Sequence, residues 1–233
     1  MTSNRASRIL TGFGLLILTG GVYTVTVGVA AKAEAPRVEA PYVVSANRPP
    51  ADVTPPLIPP APLDRSVPVA LVIPKLGVRT PVGEVGLGSD GRIEVPAVGP
   101  EYDHAAWYRY SPTPGQSGPA VIEGHLDSPE GAPSVFYGLA LLGAGDDLEV
   151  VRADGKTLLF EITQVSRYAK AEFPTEAVYG DLDHPGLRLL TCGGSLDDQG
   201  NYRDNVVVFA TLVAVNDPVL AGTSERTGYR LAS

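Results

Sequence analysis

The sequence predicts an all-β domain, either a closed barrel or a sandwich. Seven or eight short runs of apolar and β-branched residues recur between about residues 67 and 215, with turn-forming residues between them. Helical periodicity is confined to two brief stretches, near 135–142 and 174–179. The 44% hydrophobic content suffices for a packed core, and 233 residues leave room for one domain plus appended segments.

The runs follow one another as Val-Ala-Leu-Val-Ile at 69–73, Ile-Glu-Val at 93–95, Ala-Val-Ile-Glu at 120–123 and Asp-Leu-Glu-Val-Val at 147–151. Asp154-Gly155 then joins the last of these to a longer run at 157–165, a strong hairpin signal. Leu-Arg-Leu-Leu-Thr at 187–191 and the apolar run at 205–213 close the series, and residues 216–233 read as a polar tail.

Ahead of the domain, Arg5 and Arg8 precede residues 9–31, which carry no charge. At ~1.5 Å per residue such a stretch spans the ~30 Å hydrocarbon core as a helix. Positive charge before it places the N-terminus in the cytoplasm and the body outside. Residues 1–32 are therefore expected to be a cytoplasmic stub and transmembrane anchor. Ala31-Lys32-Ala33 also resembles a signal-peptidase site, but the apolar stretch is longer than a cleaved signal normally carries. Residues 33–66 hold nine prolines between Pro36 and Pro62, so they read as an extended extracytoplasmic linker. The body, residues 67–215, is expected to carry the activity.

A net charge of −8 with no basic stripe in the body argues against nucleic acid as a partner. The chain has one cysteine, Cys192, so an internal disulfide is impossible and an exported free thiol calls for a function. Cys192 follows an apolar run and precedes Gly193-Gly194, a setting that leaves the sulfur at a strand end. The ordinary alternative is an inert core thiol.

His125, just past the run at 120–123, is the preferred imidazole partner. His104 and His184 both fall in loops. Arg203, eleven positions after Cys192, lies at the start of the next strand, where its guanidinium could approach the sulfur and hold an oxyanion or a peptide carbonyl. Arg188 ranks second, because it is expected to point to the opposite face from the nucleophile. No short-spaced ligand pair or clear acidic cluster suggests a metal, so no metal, calcium included, and no cofactor is expected.

Together these pieces resemble a sortase. The family motif Thr-Leu-x-Thr-Cys is matched by Arg188-Leu189-Leu190-Thr191-Cys192, with Arg188 in place of the first threonine. His125 and Arg203 fall where the family's histidine and arginine fall. Gly124-His125-Leu126-Asp127-Ser128, Thr191-Cys192-Gly193-Gly194 and Tyr202-Arg203-Asp204-Asn205 look most like class F sortases of high-GC Gram-positive bacteria.

The resemblance implies a closed eight-stranded β-barrel and a cysteine transpeptidase acting on a C-terminal Leu-Pro-x-Thr-Gly signal. Cys192 would attack the threonine carbonyl, and His125 would serve as acid and then base. Arg203 would bind the peptide or its oxyanion, Thr191 would help form the oxyanion hole, and Asp127 could orient His125. The implied partners are proteins bearing that signal, an amine of a peptidoglycan precursor or pilin, and the membrane. The remaining readings are an envelope cysteine peptidase and a non-catalytic, membrane-tethered binding domain.

Overall fold

The computed structural model describes residues 59–217. The expected anchor, most of the linker and nearly all of the tail lie outside the described residues.

Eight strands form one closed barrel: β1 (Pro68–Ile73), β2 (Val78–Val85), β3 (Ala105–Tyr108), β4 (Gly118–Glu123), β5 (Asp147–Arg152), β6 (Thr157–Ala169), β7 (Pro185–Leu196) and β8 (Tyr202–Asn216). Their order around the barrel is β1-β2-β3-β4-β7-β8-β6-β5, and β5 pairs back to β1. Closure leaves no sheet edge unpaired, which suits a strand set this rich in Val, Ile and Leu.

Alternation sorts the side chains. Leu187 and Leu189 of β7 and Val206, Val208, Ala210 and Leu212 of β8 point inward to meet Trp107, Phe136 and Phe160. Leu190, Val207, Phe209 and Val121 point outward, and there Val178 of the short helix α1 (Thr175–Tyr179) covers them.

The expected β5–β6 hairpin is present, with Gly155 at φ 85° in its turn. Residues 93–95, in contrast, form no strand: Ile93 makes only an isolated bridge with Leu87. The positions in the barrel are filled instead by β2 and β3, neither of which was expected. β2 contains Pro81 and Gly83, which read as turn residues. Pro81 sits where the strand changes partner, the last residue paired with β1 before Val82 opens the pairing with β3. The helical stretch expected near 135–142 reduces to one 3-10 turn, Leu139–Leu141, whereas the one near 174–179 is α1.

The last residues before β1 are held against the barrel. Leu63 N–H donates to the Gly115 carbonyl at 2.8 Å, and the Arg65 guanidinium lies 5.4 Å from the Trp107 ring centre. Arg152, only 2% exposed, is the main clamp: Nη1 donates to the Pro114 carbonyl at 2.6 Å, and Nη2 to the Asp64 carbonyl at 2.9 Å and Asp154 at 2.7 Å. The Arg152 hydrogen bond is the main cause holding the Asp154 carboxyl below its usual range.

Arg152→Met would remove the Arg152 donor from the buried Pro114 carbonyl and from the part-buried Asp64 carbonyl. It is expected to cost about 3–5 kcal/mol of stability, read as a lower urea midpoint at unchanged m-value. An unchanged midpoint would contradict this account of how the segment is held.

Candidate active site

The parallel pairing of β4 with β7 places the site. Its register ends at Glu123↔Leu190, and one more hydrogen bond, from Gly124 N–H to the Leu190 carbonyl, extends it. His125 and Cys192 each stand two residues beyond that last pair, on neighbouring strands running the same way, so they emerge at the same end of the barrel. Residue 124 has no space for a side chain: a Cβ there would lie 2.7 Å from Cδ2 of Phe136. Just past Cys192 the β7–β8 register shifts between Gly193 and Leu196, with Gly194 at φ 76° facing the Asp204 carboxylate. Cys192 thus stands not at the strand terminus but at the last regular rungs before this irregularity.

Cys192 is half-buried and shares a cleft of about 240 Å³ with His125, Tyr102, Asp127, Lys170 and Tyr202. The imidazole of His125 is tightly placed. The Tyr102 ring stacks on it at 4.0 Å between centroids and 4° between planes, and Nε2 lies 2.7 Å from the Pro96 carbonyl. A carbonyl only accepts, so Nε2 carries the proton, and Nδ1 is the basic nitrogen of the neutral ring.

Asp127 acts on the histidine through Tyr102: its main-chain carbonyl accepts from the Tyr102 hydroxyl at 2.9 Å, and its carboxylate accepts from the Tyr202 hydroxyl at 2.6 Å. Burial first, then Asp127, holds both phenols above their usual range, so both remain donors at neutral pH.

The other expected residues separate. Arg203 is exposed at the start of β8, and alternation puts it on the face that carries Asn205, the cross-strand partner of Cys192. It does not line the cleft itself. Its charge reaches Asp197, whose carboxyl is held low chiefly by the Asn201 main-chain N–H and more weakly by Arg203.

Thr191 is only 5% exposed and on the inward face of β7, opposite Cys192. Its hydroxyl therefore does not join the sulfur's surroundings, and only its main chain can. Arg188, expected opposite the nucleophile, is on the same face as Cys192, because four residues along a strand restore the direction. It lies ~13 Å further down, buried over the Phe209 ring at 4.6 Å, and burial lowers its pKa to about 10. His184 is engaged with Asp183 at 2.8 Å, and His104 lines a different cleft.

Lys170, Tyr102 and Tyr202 were not anticipated. Lys170 Nζ lies 3.6 Å from Cys192 Sγ. The signal for it is alternation along β6: Tyr168 pairs with Asn205, which pairs with Cys192, and two residues further on Lys170 returns to that face. Tyr102 lies in a turn-rich segment and Tyr202 is the first residue of β8, and the local sequence of neither carries a comparable pattern.

Beside Lys170 stands Glu123, the last residue of β4. Burial pushes its carboxyl up to about 8, and the Lys170 charge pulls weakly the other way. The folded chain thus keeps a proton that the unfolded chain releases near 4.5, so stability falls as pH rises from about 4.5 through about 8. Glu123→Gln is expected to flatten that fall, so that the loss in melting temperature between mildly acidic and mildly alkaline buffer shrinks. Matching pH profiles for the variant and the parent would contradict this placement of the carboxyl.

The Sortase domain family model matches residues 71–213, and the chain belongs to the sortase family. Similar solved structures include sortase A of Listeria monocytogenes (15% identity, TM-score 0.47, covering 66% of this chain and 90% of that one). A sortase of Actinomyces oris (22%, 0.49, 71% and 89%) and sortase A of Corynebacterium diphtheriae (19%, 0.49, 67% and 64%) are also similar. No curated protein sequence matches the chain significantly.

Proposed function

We propose that the protein is a membrane-anchored cysteine transpeptidase, of the class F type, that cleaves a Leu-Pro-x-Thr-Gly signal between Thr and Gly and passes the acyl group to an amine of the cell envelope. The observation that carries this reading is the β4–β7 register, which delivers His125 and the chain's single thiol to one cleft. Membership in the sortase family supplies the reaction class.

Cys192 Sγ attacks the threonine carbonyl carbon, and the oxygen takes the developing charge. Arg203, on the sulfur's face, and the main chain after Thr191 are its donors. The C–N bond then breaks, and the departing glycine amine takes the Nδ1 proton of His125, which enters this step as imidazolium beside the Sγ thiolate and leaves it as the neutral ring of a thioacyl-enzyme. An incoming amine gives up its proton to the same nitrogen, forms the new amide and returns the sulfur as thiolate. The uncharged segment at residues 9–31, as a membrane anchor, and the Pro-rich linker would hold the catalytic domain outside the membrane, within reach of translocated substrates and their acceptors.

The test is incubation of the full chain with a Leu-Pro-x-Thr-Gly peptide and an excess of a simple amine, with products weighed by mass spectrometry. A ligated peptide is the expected product. Hydrolysed peptide alone would make the protein a peptidase, and an unchanged peptide with every signal variant would leave it a binding domain.

A further inference from the structure

We infer that Lys170 is a positioning residue for the nucleophile: its ammonium, donating to Cys192 Sγ, holds the sulfur as a thiolate aimed into the cleft. This inference rests on the reading of Cys192 as the nucleophile. Lys170 Nζ reaches the sulfur as a donor, at 3.6 Å. Of the candidates read from the sequence, His125 donates its Nε2 proton to the Pro96 carbonyl, and Arg203 lies outside the cleft wall.

Lys170 begins the 3-10 turn Lys170–Glu172 that follows β6, so a thirteen-residue strand of the barrel fixes the root of an otherwise long side chain. A thiolate is the reactive form of cysteine, and an adjacent ammonium favours it over the thiol.

The groups around the pair leave that charge uncancelled at neutral pH. Glu123, on β4, is kept protonated by its burial up to about 8. Tyr102 and Tyr202 face the sulfur as neutral phenols. The Asp127 carboxylate accepts from the Tyr202 hydroxyl, and Asp204 pairs with Arg167 at 3.3 Å. His125 shares the cleft, and Arg203 adds a second positive charge on the same face. Acylation converts the thiolate to a neutral thioester and releases Lys170 from its partner; aminolysis restores the pair. As pH rises past the point where Glu123 ionises, the carboxylate competes for the ammonium, and the hold on the sulfur weakens.

Because the chain has one cysteine, alkylation of the full-length protein reads this sulfur alone. Rates with iodoacetamide and with iodoacetate are measured across pH for the parent, Lys170→Met, Lys170→Gln and Lys170→Arg. Both neutral variants are expected to react about tenfold more slowly with iodoacetamide at neutral pH, with the profile displaced to higher pH. They should also lose preference for the anionic reagent, and Lys170→Arg should recover most of both effects. A merely structural lysine would not move the ratio of the two reagents.

Profiles for Lys170→Met and Lys170→Gln that superimpose on the parent would overturn the inference. So would the same displacement appearing in Arg203→Met and not in the lysine variants. No peptide enters this experiment, so its failure leaves the transpeptidase reading standing. Failed ligation with the alkylation signature intact would instead remove that reading and keep the Lys170–Cys192 pair.

Discussion

Cys192→Ala should abolish both the acyl-enzyme and the ligated product while leaving the fold intact. The residue is half-buried on the outward face of β7, where loss of one sulfur removes little core packing. Neighbours on that strand, Leu187 and Leu189, carry the interior instead. Covalent catalysis needs the sulfur itself, so no residual ligation is expected. Cys192→Ser should be nearly as inactive, because a hydroxyl beside Lys170 and His125 ionises far less readily than a thiol. The check is ligation rate beside thermal melting. A variant that melts like the parent and still ligates would remove Cys192 from the reaction.

His125→Gln carries the second large effect. Proton transfer by a placed side chain contributes about 10²–10⁴-fold, so the rate of both acylation and transfer is expected to fall by that order. Glutamine keeps a donor for the Pro96 carbonyl, which isolates the loss of the acid and base from the loss of that contact. The variant should still be alkylated at Cys192, since the sulfur's activation is assigned to Lys170 and not to the imidazole. Near-parental ligation, or loss of alkylation in proportion to ligation, would contradict that division of roles.

The barrel was legible in the sequence where strands are long and locally patterned. The run at 157–165, the Asp154-Gly155 turn and the apolar run at 205–213 announce β6 and β8, although both strands extend beyond those runs. β2 and β3 were not legible. Pro81 and Gly83 disguise a strand that changes partner midway, and Ala-Ala-Trp-Tyr is too short to alternate visibly. Residues 93–95 show the converse: a three-residue pattern without a partner strand gives only a bridge.

Among site residues, Cys192 and His125 could be found from composition and neighbours. Their meeting depends on the parallel β4–β7 pairing, a contact between residues 67 apart in the chain that no local signal encodes. Arg188 was expected opposite the nucleophile although four residues along one strand restore the direction, and Thr191, given to the oxyanion hole by the resemblance, falls one residue from Cys192 and so on the inward face. Lys170 was missed because β6 was expected to end at 165, before its alternation reaches the sulfur.

The central claim is that Cys192 forms a thioester with the threonine of a sorting signal. Its most direct measurement is intact-mass spectrometry of the full chain, quenched in acid after mixing with a Leu-Pro-x-Thr-Gly peptide in the absence of added amine, followed by mapping of the modified segment. The account predicts a mass gain equal to the acyl fragment ending in threonine, located on the peptide containing Cys192, discharged by hydroxylamine and absent from Cys192→Ala. A parental mass under the same conditions, or an adduct on any other residue, would contradict it.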